Sequence, residues 1–190
     1  MPIDQYAFKE ALRGWASGVT VVTSRAGDKV HGMTVSAFSS VSADPPLVLV
    51  CANRGSTTHG IIEEGGVFAV NILAEHQREV SNVFASSEYE DSRLERVSWT
   101  EGKTGAPLID EALASLECEV ASAHREGSHT IYIGRVEAVH TTKATPLLYY
   151  NGGYRSLLRD DLGVSSFRGT AARAFPVWSR AFRPSSGYRA

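Results

Sequence analysis

The sequence predicts a mostly β domain with antiparallel strands, a barrel or a sandwich, and a few flanking helices. Three observations carry that expectation. Short apolar or β-branched runs recur at residues 19–24, 30–42, 47–52, 67–73, 116–124, 130–141 and 146–150. Several are joined by turn chemistry, Ala26-Gly27-Asp28 and Arg125-Glu126-Gly127-Ser128-His129, where an alternating parallel sheet would need a helix each time. The length of 190 residues, with 43% hydrophobic and 21% charged, is that of one domain able to bury a core.

The elements follow in order. Over residues 4–16, Phe8, Leu12 and Trp15 recur at helical steps behind a possible Asp4 cap, which predicts an amphipathic helix. Gly18 breaks that pattern, and residues 19–24 begin a hairpin. Residues 30–42 alternate small hydroxyl residues with larger apolar ones until Asp44-Pro45-Pro46 stops the strand, because proline donates nothing to a ladder. Residues 47–52 are apolar throughout, so both faces of that strand should be covered. Ser56, Thr57, Thr58 and His59 open a short helix reaching Ile62. After the strand at 67–73, Val80, Val83 and Phe84 share one face of a helix within 75–85, and the polar stretch 86–96 is expected at the surface. No internal repeat is apparent.

Composition excludes some partners. A net charge of −2 and a pI near 6.3 offer no field to nucleic acid or an anionic membrane. No apolar run reaches the roughly 18 residues that span a bilayer, and residues 1–9 lack a basic segment followed by an apolar one, so a cytoplasmic protein is expected. Cys51 and Cys118 have no metal-type spacing; they read as reduced core thiols, with a redox disulfide as the other possibility. The six histidines form no paired spacing with carboxylates, so no metal is expected. Residues 156–190 carry six Arg and two Asp, about +4, which leaves about −6 on the rest. The chain thus divides into a domain at 1–157 and a basic extension at 158–190 whose Phe167, Phe175, Trp178, Phe182 and Tyr188 are too numerous for an ordinary linker.

Familiar catalytic templates are missing: no GxGxxG after a strand, no P-loop, no GxSxG elbow and no HExxH helix. Three places remain. In GMTVSAFSSVS, residues 32–42, a strand exposes backbone and hydroxyls with little bulk, so a flat polar molecule could approach closely; an edge strand with a solvated hydroxyl face gives the same pattern. In NRGSTT, residues 53–58, hydroxyls and free N–H groups at a helix start suit a phosphate, although capping by Ser56 alone would also account for them. His129, at a strand start, is placed to donate a hydrogen bond or carry charge near neutral pH, or simply to face solvent.

Taken together, SGVTVVT at 17–23, GMTVSAFSSVSADPPLVLVC at 32–51, FAVNIL at 68–73, Phe84-Ala85, LEC at 116–118, HTIYIGRV at 129–136 and the segment 146–154 resemble, in the same order, the short-chain flavin reductases of two-component flavin-dependent monooxygenases. These form the flavin reductase-like, FMN-binding split-barrel family, and the resemblance covers roughly residues 5–157.

The resemblance implies a Greek-key split β-barrel that forms a homodimer, with flavin in a groove near the dimer interface. It implies cofactor contacts from Met33, Thr34, Val35, Ser36 and Ala37, with Ser39, Ser40 and Cys51 as further candidates. Asn53, Ser56 and Thr58 fall where relatives hold the ribityl phosphate, and Phe84, Ala85 and Tyr154 fall where they border or close the site. His129 matches the histidine near the nicotinamide, but relatives commonly carry Asp before it and this chain has Ser128. The implied reaction is hydride transfer from NADH or NADPH to FMN or FAD, supplying reduced flavin to a partner monooxygenase. Hydride transfer needs stacked rings more than a base, so His129 is expected to position the substrate. The rivals are a flavin-storage protein and a self-contained flavin oxidase or oxygenase of the same superfamily.

Overall fold

A computed structural model describes residues 3–157. The expectations for the extension at 158–190 lie outside the described residues. The elements are α1 (Gln5–Arg13), β1 (Ser17–Gly18), β2 (Thr20–Ala26), β3 (Lys29–Val35), β4 (Phe38–Ala43), β5 (Pro46–Asn53), α2 (Thr57–Gly65), β6 (Val67–Ile72), α3 (Arg78–Ala85), a 3-10 turn (Arg93–Glu95), β7 (Trp99–Glu101), β8 (Pro107–Ile109), β9 (Ala114–Glu126), β10 (His129–Thr141), β11 (Leu148–Tyr150) and β12 (Gly153–Arg155).

Seven strands form one antiparallel sheet in the order β3-β2-β6-β9-β10-β5-β4. The connection from β5 through α2 to β6 passes over the places taken later by the β9–β10 hairpin, which is a Greek-key step. Register shifts at Ile133/Gly134 and Val136/Ala138 bend that long hairpin and curl the sheet. Gly134 is required there, because a Cβ would collide with the Phe68 ring and Cys118. The curled sheet encloses Val22, Val50, Phe68, Val70, Cys118 and Tyr132 from five strands, each at most 1% exposed. Burying each of the larger of these stabilises the fold by about 1.5–3 kcal/mol.

The run at 30–42 is two strands. β3 pairs with β2, β4 pairs with β5, and the chain passes between the two ends of the sheet at Ser36 and Ala37. This is the split of the barrel, and it leaves Ser36 and Ala37 exposed between two edge strands.

Three further expectations need correction. The helix at α1 forms, with Asp4 capping Tyr6 and Ala7, yet Phe8 and Leu12 remain more than half exposed and Trp15 lies beyond its end. β5 is buried on alternate residues, not on both faces. The stretch 86–96 is not all surface: Arg93 is 6% exposed, drawn inward by backbone carbonyls. Cys51 and Cys118 are both free, Cys51 half-buried and Cys118 buried, and burial pushes the Cys118 thiol up to about 12.

Candidate functional site

The small-residue end of β3 and the polar face of α3 form the two walls of a cavity of about 460 Å³. Thr34, Val35 and Ser36 line one wall, Ser81, Asn82 and Ala85 the other, and Tyr149, Gly152, Gly153 and Tyr154 close one end. The walls are tied together: the Thr34 hydroxyl donates to the Ser81 carbonyl at 2.7 Å. Tyr154 Oη lies 2.9 Å from Ser81 Oγ and 2.8 Å from Asn82 Oδ1, and the Tyr149 ring meets the Tyr154 ring edge-on at 5.7 Å. Gly32, just before the groove, is pressed against the Phe84 ring, which occupies the space a Cβ would need.

A second, more open cavity of about 550 Å³ lies at the start of α2, lined by Arg54, Ser56, Thr57, His59, Glu63 and Arg125 among others. Ser56 is the N-cap, accepting from His59 N, and its hydroxyl reaches Met33 Sδ at 3.5 Å, which links this place to the groove strand. Asn53 Oδ1 accepts from Gly55 N at 2.8 Å and shapes the turn into the helix. Arg125 is ion-paired to Glu63 at 2.8 Å. The N-terminal N–H groups of α2 and the Arg54 head group make this rim favourable for an anion.

His129 opens β10 directly opposite Asn53 of β5, and Ser128 Oγ is 2.9 Å from its Nδ1. Ser128 therefore gives the His129 ring a hydroxyl partner.

The expected residues thus divide. Thr34, Val35, Ser36, Ala85 and Tyr154 share the first cavity, and Ser56 lines the second. Met33, half-buried, stands between them. The Ala37 carbonyl accepts from Cys51 N at 3.1 Å, continuing the β4–β5 pairing. Ser39 and Ser40 are exposed on β4 and line neither cavity. Thr58 is fully buried: the Glu90 carbonyl accepts from His31 Nε2 at 2.8 Å, so Nδ1 accepts from the Thr58 hydroxyl, also at 2.8 Å. Phe84 is 1% exposed and belongs to the core, while its neighbour Ala85 faces the cavity. Ser81, Asn82 and Tyr149 were missed. Their only signal is a polar pair between the apolar Val80 and Val83 on α3, and an aromatic in the last strand.

A family model described as "Flavin reductase like domain" matches residues 12–158. The chain belongs to the flavin reductase-like domain family. An NADH-dependent flavin reductase from Rhodococcus is 43% identical over 152 residues, covering 78% of this chain and 84% of that protein. The reductase subunit of a flavin-dependent monooxygenase from Mycobacterium tuberculosis is 36% identical over 158 residues, covering 82% and 83%. Among solved structures, the NADH:FAD oxidoreductase of Streptomyces globisporus in complex with NAD and FAD fragments superposes with a TM-score of 0.78 at 32% identity, covering 83% of this chain and 95% of that one. The split barrel seen here is that of flavin reductases, and the chain is an enzyme of that family.

The residues present fit a flavin. The first cavity falls within the roughly 300–1,000 Å³ of small-molecule sites, and its wall of small side chains at the split leaves room for a flat ring. The helix start 56–60 supplies donors for a phosphate. Among the described residues, no three His, Cys, Asp or Glu side chains are placed to hold a metal, and no helix is long and apolar enough to cross a membrane.

Proposed function

We propose that this flavin reductase transfers hydride from NADH or NADPH to FMN or FAD and supplies the reduced flavin to a partner flavin-dependent monooxygenase. The carrying observation is the meeting of the Thr34–Ser36 run with α3 and Tyr154 around one cavity, beside a helix start suited to phosphate. A bound flavin would supply the redox chemistry, that of accepting a hydride. Thr34, Val35 and Ser36 admit the ring closely and offer hydroxyls and backbone to its polar edge. Met33 and Ala37 flank that run. Asn53, Ser56 and Arg54 hold the phosphate end, Ala85 borders the ring, and Tyr154 closes the site. His129, held by Ser128, positions the nicotinamide and takes no obligatory proton. Thr58 and Phe84 support the site from inside the fold.

The relatives named as monooxygenase reductase subunits support a monooxygenase partner. The same reading gives a homodimer in the cytoplasm, with reductase function in residues 1–157 and 158–190 as an extension. NADH or NADPH oxidation followed at 340 nm, with and without added FMN and FAD, tests it. Fast oxidation that depends on free flavin is the expected result. A bound flavin spectrum without oxidation would instead make this a storage protein, and a flavin that stays bound through turnover on an organic substrate would make it a self-contained oxidase or oxygenase.

A further inference from the structure

We propose that Arg93 is a positioning residue of the cleft between β3 and α3, its guanidinium tying one wall to the other and setting their spacing. The proposal rests on the reading of that cleft as the flavin site. Arg93 lies in the 3-10 turn, outside both walls, and is 6% exposed. Nη1 donates to the Gly32 carbonyl at 2.9 Å, on the residue immediately before Met33 and the groove run. Nη2 donates to the Ser86 carbonyl at 2.8 Å, on the residue that follows Ala85 and ends α3. One planar head group therefore holds a carbonyl from each wall.

The surroundings leave this geometry little freedom. At Gly32 the Phe84 ring of α3 already touches β3, so the walls are in contact beside the guanidinium. Glu90 steadies Nη2 from 3.3 Å, and its own carboxylate accepts from the Thr57 hydroxyl of α2 at 3.0 Å. The Glu90 carbonyl is held by His31 of β3, which anchors the same segment a second time. Arg93 Nε has no partner, so the Nη contacts to Gly32, Ser86 and Glu90, not full satisfaction of the head group, fix its orientation. At the other end the Thr34 contact to Ser81 ties the same two walls. A lysine keeps the charge but is a point donor without the fork that spans two fixed acceptors.

The test uses the full chain with Arg93→Lys, Arg93→Met and Glu90→Gln, plus Leu108→Ala as a destabilised control whose side chain packs in a separate cluster. The readouts are the KM and Kd for FMN and FAD, kcat at saturating flavin, and the urea midpoint. Both Arg93 variants should raise flavin KM and Kd about tenfold, one factor-of-ten step in affinity, with kcat within about twofold. Glu90→Gln, half-exposed and safe to fold, should raise them about threefold by loosening the fork. Leu108→Ala should lower the urea midpoint yet leave flavin KM within about twofold, since it touches neither wall.

A folded Arg93→Lys protein with unchanged flavin KM overturns the proposal, as does a Leu108→Ala protein whose KM rises equally. If neither Arg93 variant is soluble, Glu90→Gln decides, and an unchanged KM there counts against it. A wild-type chain that binds no flavin overturns the flavin-site reading and this proposal together. Wild-type binding with indifferent variants overturns this proposal alone.

Discussion

The hydroxyl of Tyr154 on β12 stands 2.9 Å from Ser81 Oγ on α3, across 73 residues of sequence. Ser81 is also the residue whose carbonyl accepts from Thr34. One turn of α3 therefore ties the groove strand to the last described strand, and the cavity closes around it.

Tyr154→Phe removes that tie together with the 2.8 Å contact of the same hydroxyl to Asn82 Oδ1, and nothing else of size. The expected loss of stability is about 0.5–1.5 kcal/mol, the net worth of a typical hydrogen bond, read as a lower urea midpoint. Flavin KM should rise while kcat changes little, because the closing strand loosens without touching the reacting atoms.

Ser36 is exposed at the split, so a large side chain there fills the groove without disturbing the core. Ser36→Phe should leave the unfolding free energy from urea titration within about 0.5 kcal/mol of wild type. Fluorescence titration should show flavin affinity weakened at least about a hundredfold, near 2.8 kcal/mol. A variant that binds flavin normally would place the ring elsewhere.

His129→Ala should lower steady-state turnover less than about tenfold with flavin Kd unchanged, well below the typical 10²–10⁴ of a general acid or base. Ser128→Ala should reproduce part of that loss, since Ser128 orients the ring. A fall beyond about a thousandfold with flavin still bound would make His129 a proton-transfer residue.

Burial pushes His31 below its ordinary value of 6.5, assisted by Arg93 and opposed by the Glu90 carbonyl and by the carboxylates of Glu90 and Asp91. Below pH 6.5 the unfolded chain takes up a proton there that the folded chain resists, so the folded state loses stability on acidification through that window. Urea midpoints measured from pH 8 to pH 5 should therefore fall for the wild type. His31→Gln should lose less over the same range, so the gap between the two narrows as pH drops.

Much of the fold was legible because its signals are local. Asp4 and Ser56 cap their helices as their side chains dictate, and β5, β6 and the β9–β10 hairpin lie within a few residues of their apolar runs. The break of 30–42 into β3 and β4 was not legible. Each half is a sound strand by itself and pairs with its neighbour in the chain, β3 with β2 and β4 with β5; that these two hairpins lie at opposite ends of the sheet, so that the run must break between them, is decided by the other strands.

The site divides in the same way. The sequence by itself determined that residues 34–37 carry little side-chain bulk, that a helix with anion-favouring N–H groups starts at Ser56, and that a histidine opens a strand at 129, since these follow from side-chain size and near-neighbour chemistry. Only the tertiary structure decided that Phe84 turns into the core while Ala85 faces the cavity, that Thr58 is held by His31, and that Arg93, in a polar stretch, points inward. Those outcomes depend on which distant carbonyls, rings and small residues arrive beside each side chain, and that is fixed by the closing of the sheet rather than by any local pattern.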